Sequence, residues 1–216
     1  MSFKEIRAEI GADKILAVSK LQPAQKIRDL YEQGQRAFGE NYVQEALDKK
    51  DLLKDLSDIE WHLIGHLQKN KAKFVVGQFA LIHSVDSLEL AQTLSRQCEN
   101  KQVTQKILIQ VNLANEESKS GFDKNTVIAD WTKLCALPHL TIEGLMTMPP
   151  LTETGEEVRP YFKELRELQQ TLQKQTDLNQ HPLNKLSMGT SNDFRVAIQE
   201  GATLVRLGTI LFGARN

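Results

Sequence analysis

The chain predicts an α/β protein built as a (β/α)8 barrel of the TIM type, on three observations. Short apolar runs alternate with amphipathic stretches along its whole length, a pattern that builds a parallel sheet through right-handed crossovers. The runs number eight, the count that closes a barrel. No strand–turn–helix of the GxGxxG type accompanies them, which makes the open doubly wound sheet the weaker alternative.

A total of 216 residues suits one large domain, so residues 1–216 read as a single barrel at the small end of its size range. With 40% hydrophobic and 25% charged residues, the composition is that of a soluble globular protein. A net charge of −1 argues against a general nucleic-acid or membrane surface. No apolar run approaches the roughly 20 residues of a membrane span. The start, MSFKEIRAEIGADK, lacks the apolar region of a signal peptide. Cys98 and Cys135 stand far apart without metal-ligand spacing, and no His/Cys/Asp/Glu cluster supplies it elsewhere. The expectation is a cytoplasmic protein with core cysteines and no metal.

Taken in order, residues 2–10 form a helix with Phe3, Ile6 and Ile10 on one face, closed by Gly11 and preceding the barrel. ILAVSK (15–20) holds the first strand, bounded by Asp13-Lys14 and Gln22-Pro23. Pro23 opens a helix that Gly34 ends. AFGEN (37–41) is the second strand, followed by a helix over 42–56. WHLIG (61–65) is the third, with a helix over 67–77 that carries KNKAK as a solvated face. ALIHSV (80–85) is the fourth, and Asp86 or Ser87 caps the helix that runs to Glu99. KILIQVNL (106–113) is the fifth, with a helix at 126–136 after a polar loop. TIEGLMTM (141–148) is the sixth; Pro149-Pro150 forces a loop before a long helix over 157–175. KLSMG (185–189) and TLVRLG (203–208) are the seventh and eighth strands, separated by a short helix at 192–200. Buried histidines are expected at His62 and His83, and surface histidines at His139 and His181.

Ligands bind such barrels at the C-terminal ends of the strands. That edge gathers Lys20, Asn41, Gly65-His66, Ser84, Asn112, Met146 to Met148, Ser187 to Ser191, and Arg206 to Thr209. Lys20 follows an apolar run; an ammonium there loses hydration, its pKa falls, and its amine becomes a nucleophile towards carbonyls. LSMGTSND sets Ser187, Gly189, Thr190 and Ser191 before a helix that Ser191 or Asn192 can cap, and Gly208-Thr209 adds to the same corner. Backbone N–H groups and a helix N-terminus make this a phosphate site. Arg206 shares a face with Leu204 inside the barrel, where a guanidinium needs a partner. No acidic residue is near it in sequence, so a ligand acceptor suits it; Glu40, Glu143 or Asp193 could instead pair with it. Lys20 could equally be a solvated strand-end lysine and SMGTS an ordinary helix cap. Together, a lysine amine and a phosphate cup suit an aldehyde bearing a phosphate, of which pyridoxal 5′-phosphate (PLP) is the commonest cofactor.

The segments ILAVSK, RAFGENYVQEALDK, WHLIGHLQKNK, EESKSGF, EGLMTM and LSMGTSNDFRVAIQEGATLVRLGTILFGAR closely resemble the pyridoxal-phosphate homeostasis protein family, over about residues 15–216. The resemblance implies a barrel similar to the alanine racemase N-terminal domain, the fold-type III architecture of PLP proteins. It implies a Schiff base at Lys20, Asn41 beside the ring, Met146 lining the pocket, and Ser187, Gly189, Ser191, Gly208 and Thr209 around the phosphate. It sets Arg206 against the pyridine nitrogen, where like-charge repulsion disfavours protonation of the ring and weakens it as an electron sink.

Three functions remain to be separated. A PLP homeostasis protein would hold the cofactor, buffer it or pass it to apoenzymes, and need no catalytic residue. A small amino-acid racemase would need a base opposite Lys20, for which Tyr42 and His66 are the candidates. A class I aldolase would bind a phosphosugar and carry no cofactor. Lys119, in ESKSGF, is a candidate secondary aldehyde contact. A monomer is expected, since no helix face is strongly apolar and exposed.

Overall fold

Ile15, Leu16, Ala17 and Val18 are all buried, and this run is β1 (Ile15–Val18). A strand covered on both faces reads as unbroken apolar sequence because a parallel sheet is packed from both sides. The computed structural model describes residues 1–114, 116, 120–150, 152 and 154–213. Their elements run α1 (Phe3–Ile10), β1, α2 (Ala24–Glu32), β2 (Ala37–Glu40), α3 (Val43–Leu52), β3 (Glu60–Leu63), α4 (Ala72–Val75), β4 (Leu81–Val85), α5 (Leu88–Lys101), β5 (Gln105–Gln110), α6 (Lys124–Cys135), β6 (Leu140–Met146), α7 (Arg159–Gln173), β7 (Lys185–Thr190), α8 (Phe194–Gln199), β8 (Leu204–Leu207) and α9 (Thr209–Phe212). The strands close into a parallel barrel in chain order, and β8 returns to β1 with Leu16 opposite Arg206.

Side-chain alternation divides the interior from the outer layer. Ile15 and Ala17, with Val205 and Leu207, join the large core between strands and helices. Leu81, Leu108, Met146 and Leu204 form a separate apolar cluster, and Leu16, Val18 and Ile64 another. On β8 this alternation turns Arg206 to the same side as Leu204, as the sequence predicts. No helix among the described residues is long and apolar enough to cross a membrane.

Several boundaries differ from expectation. The helix expected over 67–77 is a single 3-10 turn, Lys69–Lys71, followed by the one-turn α4. Gly77, at φ 75°, then turns the chain into β4. The sixth strand stops at Met146. Thr147 turns its hydroxyl to the Val111 carbonyl (2.8 Å), and Met148 emerges 47% exposed. His181 is not a surface residue. It is buried, accepts a hydrogen bond from Ile142 N on Nδ1 (3.1 Å) and reaches the Cys135 carbonyl through Nε2 (3.0 Å), tying the loop after α7 to β6.

Candidate functional site

A cavity of about 420 Å³ opens at the C-terminal end of the barrel. Val18 and Lys20 reach it from β1, Asn41 from β2 and Ile64 from β3. Met148, Thr190, Ser191 and Asn192 line it after β6 and β7, and Arg206, Gly208 and Thr209 from β8. Six of the nine residues that the family resemblance assigns to the site therefore meet there: Lys20, Asn41, Ser191, Arg206, Gly208 and Thr209.

Lys20 is held through its neighbours. Ser19 donates its backbone N–H to the Gly39 carbonyl (3.0 Å) and its hydroxyl to Glu40 Oε1 (2.6 Å). Lys49, buried on α3, donates to the Ser19 carbonyl (2.6 Å), to Glu40 Oε1 (2.8 Å) and to Glu45 Oε1 (2.7 Å). Glu45 also accepts the N–H of Leu21, whose φ of 59° turns the chain away from the sheet. One buried cation thus fixes both sides of Lys20. Glu40 is fully buried, and burial pushes its carboxyl upward against the downward pull of the Lys49 and Ser19 bonds. Lys49 sits in a charged stretch on a helix, KKD, and nothing local in the sequence marks it as buried.

Asn41 stands where β2 leaves the sheet, pressed against Gly65. A Cβ on Gly65 would lie 2.1 Å from the Asn41 carbonyl oxygen, so only glycine lets the two strand ends approach. The Asn41 Oδ1 atom is buried without a hydrogen-bond partner among the described residues. An orphaned acceptor in a cavity wall is a place for a ligand donor.

Arg206 makes none of the three ion pairs open to it in the sequence. Glu40 pairs with Lys49, Glu143 with Lys185 (3.1 Å) and Lys106 (3.6 Å), and Asp193 receives the N–H and hydroxyl of Thr190. Arg206 instead donates Nη1 to the Ser187 carbonyl (2.7 Å) and hydroxyl (2.9 Å), and Nη2 to the Thr147 carbonyl (2.8 Å). Its Nε–H has no partner among the described residues, and the side chain lines the cavity. With neutral acceptors only, burial pushes its pKa down to about 10.

The hydroxyl corner differs from expectation in its cap. Asp193, not Ser191 or Asn192, occupies the N-cap of α8, and its carboxylate turns back to Thr190 instead of capping the helix. This leaves the Ser191 and Asn192 side chains to the cavity, with Thr209 Oγ1 3.4 Å from Ser191 Oγ. Gly208 is the N-cap of α9.

Met146, Ser187 and Gly189 do not line the cavity. Met146 is 1% exposed inside the barrel, and Met148 lines the cavity in its place because the sixth strand ends two residues early. Ser187 lies behind Arg206. Gly189, at φ 90°, is where β7 passes α8: a Cβ there would lie 2.5 Å from that of Ala197. Thr190, named with the phosphate corner in the sequence, lines it too, and Val18, Ile64 and Asn192 join the lining without having been singled out for it. Strand alternation from Leu16 could have found Val18. Lys119 lies outside the described residues. Tyr42 and His66 line an adjoining pocket of about 350 Å³ that shares Asn41; His66 Nδ1 contacts Asp86 Oδ2 and Ser120 Oγ, each at 3.1 Å.

Residues 2–216 match the family described as alanine racemase, N-terminal domain. A pyridoxal phosphate homeostasis protein of Aquifex aeolicus (strain VF5) is 46% identical over 203 residues, covering 94% of this chain and 87% of that protein. The chain belongs to the pyridoxal phosphate homeostasis protein family. Another homeostasis protein, from Synechocystis sp., is 42% identical over 99% of this chain and 97% of its own length. Among solved structures, PipY of Synechococcus elongatus PCC7942, with PLP bound, superposes with a TM-score of 0.90 at 42% identity, covering 97% of both chains. Alanine racemase of Clostridium difficile 630 shares the fold (TM-score 0.75) at 14% identity, with this chain spanning 58% of it. The homeostasis-family barrel thus corresponds to part of the racemase chain.

Proposed function

We propose that this chain binds PLP in the barrel-mouth cavity, with Lys20 carrying it covalently, and that it serves intracellular PLP homeostasis by holding and releasing the cofactor without dedicated turnover. One observation carries this reading: a lysine, an arginine whose Nε–H has no partner among the described residues, and a Ser191–Gly208–Thr209 corner surround one cavity. The 42% identity to PipY, whose structure contains PLP, supports it. The donor set fits the group. Hydroxyls and a glycine backbone suit a phosphate, the Asn41 Oδ1 acceptor awaits a donor, and a primary amine suits an aldehyde.

PLP, when bound, supplies an electron sink for carbanion chemistry. In this reading Arg206 puts a positive charge next to the ring nitrogen and opposes its protonation. Ser191, Gly208 and Thr209 hold the phosphate, and Asn41 orients the ring edge. Met146, Ser187 and Gly189 act from behind the cavity, as support for its wall. Racemisation also needs a base opposite Lys20, and neither Tyr42 nor His66 lines the cavity. The aldolase reading has no observation in its favour. A cytoplasmic monomer working as one domain, with PLP-dependent apoenzymes as recipients, completes the proposal.

The test is a visible absorption spectrum of the protein loaded with PLP, wild type beside Lys20→Ala, before and after borohydride. A yellow band that borohydride removes, and that the variant lacks, is expected. A wild type that stays colourless with added PLP would overturn the proposal. Measured interconversion of D- and L-alanine, lost in Lys20→Ala, would move the racemase reading ahead of it.

A further inference from the structure

Behind Arg206 a line of polar groups runs through the barrel interior. Ser187 Oγ lies 2.9 Å from His83 Nδ1, His83 Nε2 lies 2.9 Å from His62 Nδ1, and His62 Nε2 lies 4.0 Å from Glu60 Oε2. Ser187, His83, His62 and Arg206 are all buried, while Glu60 is exposed at the start of β3.

The direction of this line follows from what each group can do. A guanidinium only donates, so Ser187 Oγ accepts from Arg206 Nη1. The single hydroxyl proton then needs an acceptor, and among the described residues His83 Nδ1 is the one in reach. His83 must therefore be unprotonated on Nδ1 and carry its proton on Nε2, where it donates to His62 Nδ1. His62 carries its own proton on Nε2, facing the Glu60 carboxylate. The reverse order gives Ser187 two incoming donors and leaves its own proton unused. It also sets an unprotonated nitrogen of His62 against a carboxylate. Burial lowers the pKa of both imidazoles, which suits the neutral forms.

We propose that His83, backed by His62, is a positioning residue: through Ser187 it fixes the orientation of Arg206 and keeps that cation turned toward the cofactor cavity without a carboxylate partner. This rests on the cavity being the PLP site. Neighbouring interior positions hold Leu81, Leu108, Met146 and Leu204. Packing alone would be served by a fourth and fifth leucine at 62 and 83, with no polar group to satisfy. Imidazoles there give Ser187 an acceptor that carries no charge. An acidic residue in that place would also accept, and would neutralise Arg206.

The experiment has two arms. In the first, cofactor-free protein labelled with ¹⁵N in histidine and arginine is studied by NMR. Both His62 and His83 should be protonated on Nε2 and bare on Nδ1, and Arg206 should show separate Nη signals from hindered rotation. In His83→Leu the Arg206 Nη1 signals should shift and broaden, while the carbonyl of Thr147 still holds Nη2; in His83→Asn, whose amide oxygen can accept from Ser187, they should keep their wild-type positions. In the second arm, PLP is titrated into the same proteins. His83→Leu should bind roughly tenfold more weakly, the scale of one lost hydrogen bond, with a displaced visible band. His83→Asn should restore both.

A proton on Nδ1 of His83 would overturn the proposal. So would a folded His83→Leu with unchanged Arg206 signals, band and affinity. If His83→Leu fails to fold, Ser187→Ala removes the hydroxyl that links His83 to Arg206 and is judged by the same criteria. A wild type that does not bind PLP would remove the function proposed above, and the NMR arm alone would then decide this one.

Discussion

Replacing Lys49 by methionine tests how the fold holds its cavity lysine. Lys49 is 6% exposed and bonds the Ser19 carbonyl, Glu40 and Glu45 within 2.8 Å. Methionine keeps the volume and removes the charge. Glu40 is then left fully buried, and among the described residues its Oε2 has no partner and its Oε1 keeps only the Ser19 hydroxyl. Breaking one side of a buried ion pair costs about 3–5 kcal/mol, which for a chain of this size lowers Tm by about 6–20 °C. The pH dependence has a definite sign. Burial holds Glu40's carboxyl above its ordinary value, so the folded state takes up its proton more readily than the unfolded chain. Stability from this group is therefore greatest in acid and is lost as pH rises from the unfolded value through the folded one. Without Lys49 the carboxyl rises further, and the Lys49→Met deficit should shrink as pH falls from 7 towards 5. Urea unfolding of Lys49→Met, Glu40→Gln and the double variant, at both pH values, measures this. The double variant should recover most of the loss, since the orphaned charge is gone. A single variant that loses under about 1 kcal/mol, or a loss that Glu40→Gln leaves unchanged, would refute the assignment of Lys49 as the anchor of this segment.

The remaining predictions follow the same geometry. Gly65→Ala should force β3 away from Asn41, costing at least about 1–3 kcal/mol and reducing the PLP retained per chain, read from Tm and from the cofactor band. Arg206→Lys keeps the charge and loses the planar fork that spans the Ser187 and Thr147 carbonyls; PLP affinity measured by titration should fall about tenfold or more. Burial pushes the thiols of Cys98 and Cys135 up to about 11. Both should therefore resist iodoacetamide at pH 8 in the folded protein and react once urea unfolds it.

The strands were legible because each is a short run buried on both faces, and eight such runs leave little choice of architecture. Lys20, Asn41 and Arg206 were legible as polar residues at the ends of apolar runs. What stayed hidden depends on partners distant in sequence. His62 and His83 read as core residues; that they join Ser187, 104 positions beyond His83, appears only once β3, β4 and β7 share an interior. Lys49 looks like any helix-surface lysine until Glu40 is seen beneath it. The Asp193 cap was missed because Ser191 and Asn192 are equally good capping types, and the choice is made by where β7 ends. His181 was misplaced because its neighbours, Gln180 and Pro182, are loop-formers, while its burial comes from β6.

Closure of β8 onto β1 has a consequence for when the protein can capture its ligand. Lys20 belongs to the first strand and Arg206 to the last, and the register that brings them together pairs Leu16 with Arg206. The two halves of the cavity are joined by the contact of greatest chain separation in the sheet, the one whose loop entropy is largest. A chain still emerging from the ribosome carries the lysine long before it carries the arginine, and cannot build this cavity until the eighth strand is released. A ligand held there would bind only the closed ring, and by mass action would stabilise closure itself: under the proposed function, occupancy by the cofactor would certify a finished barrel.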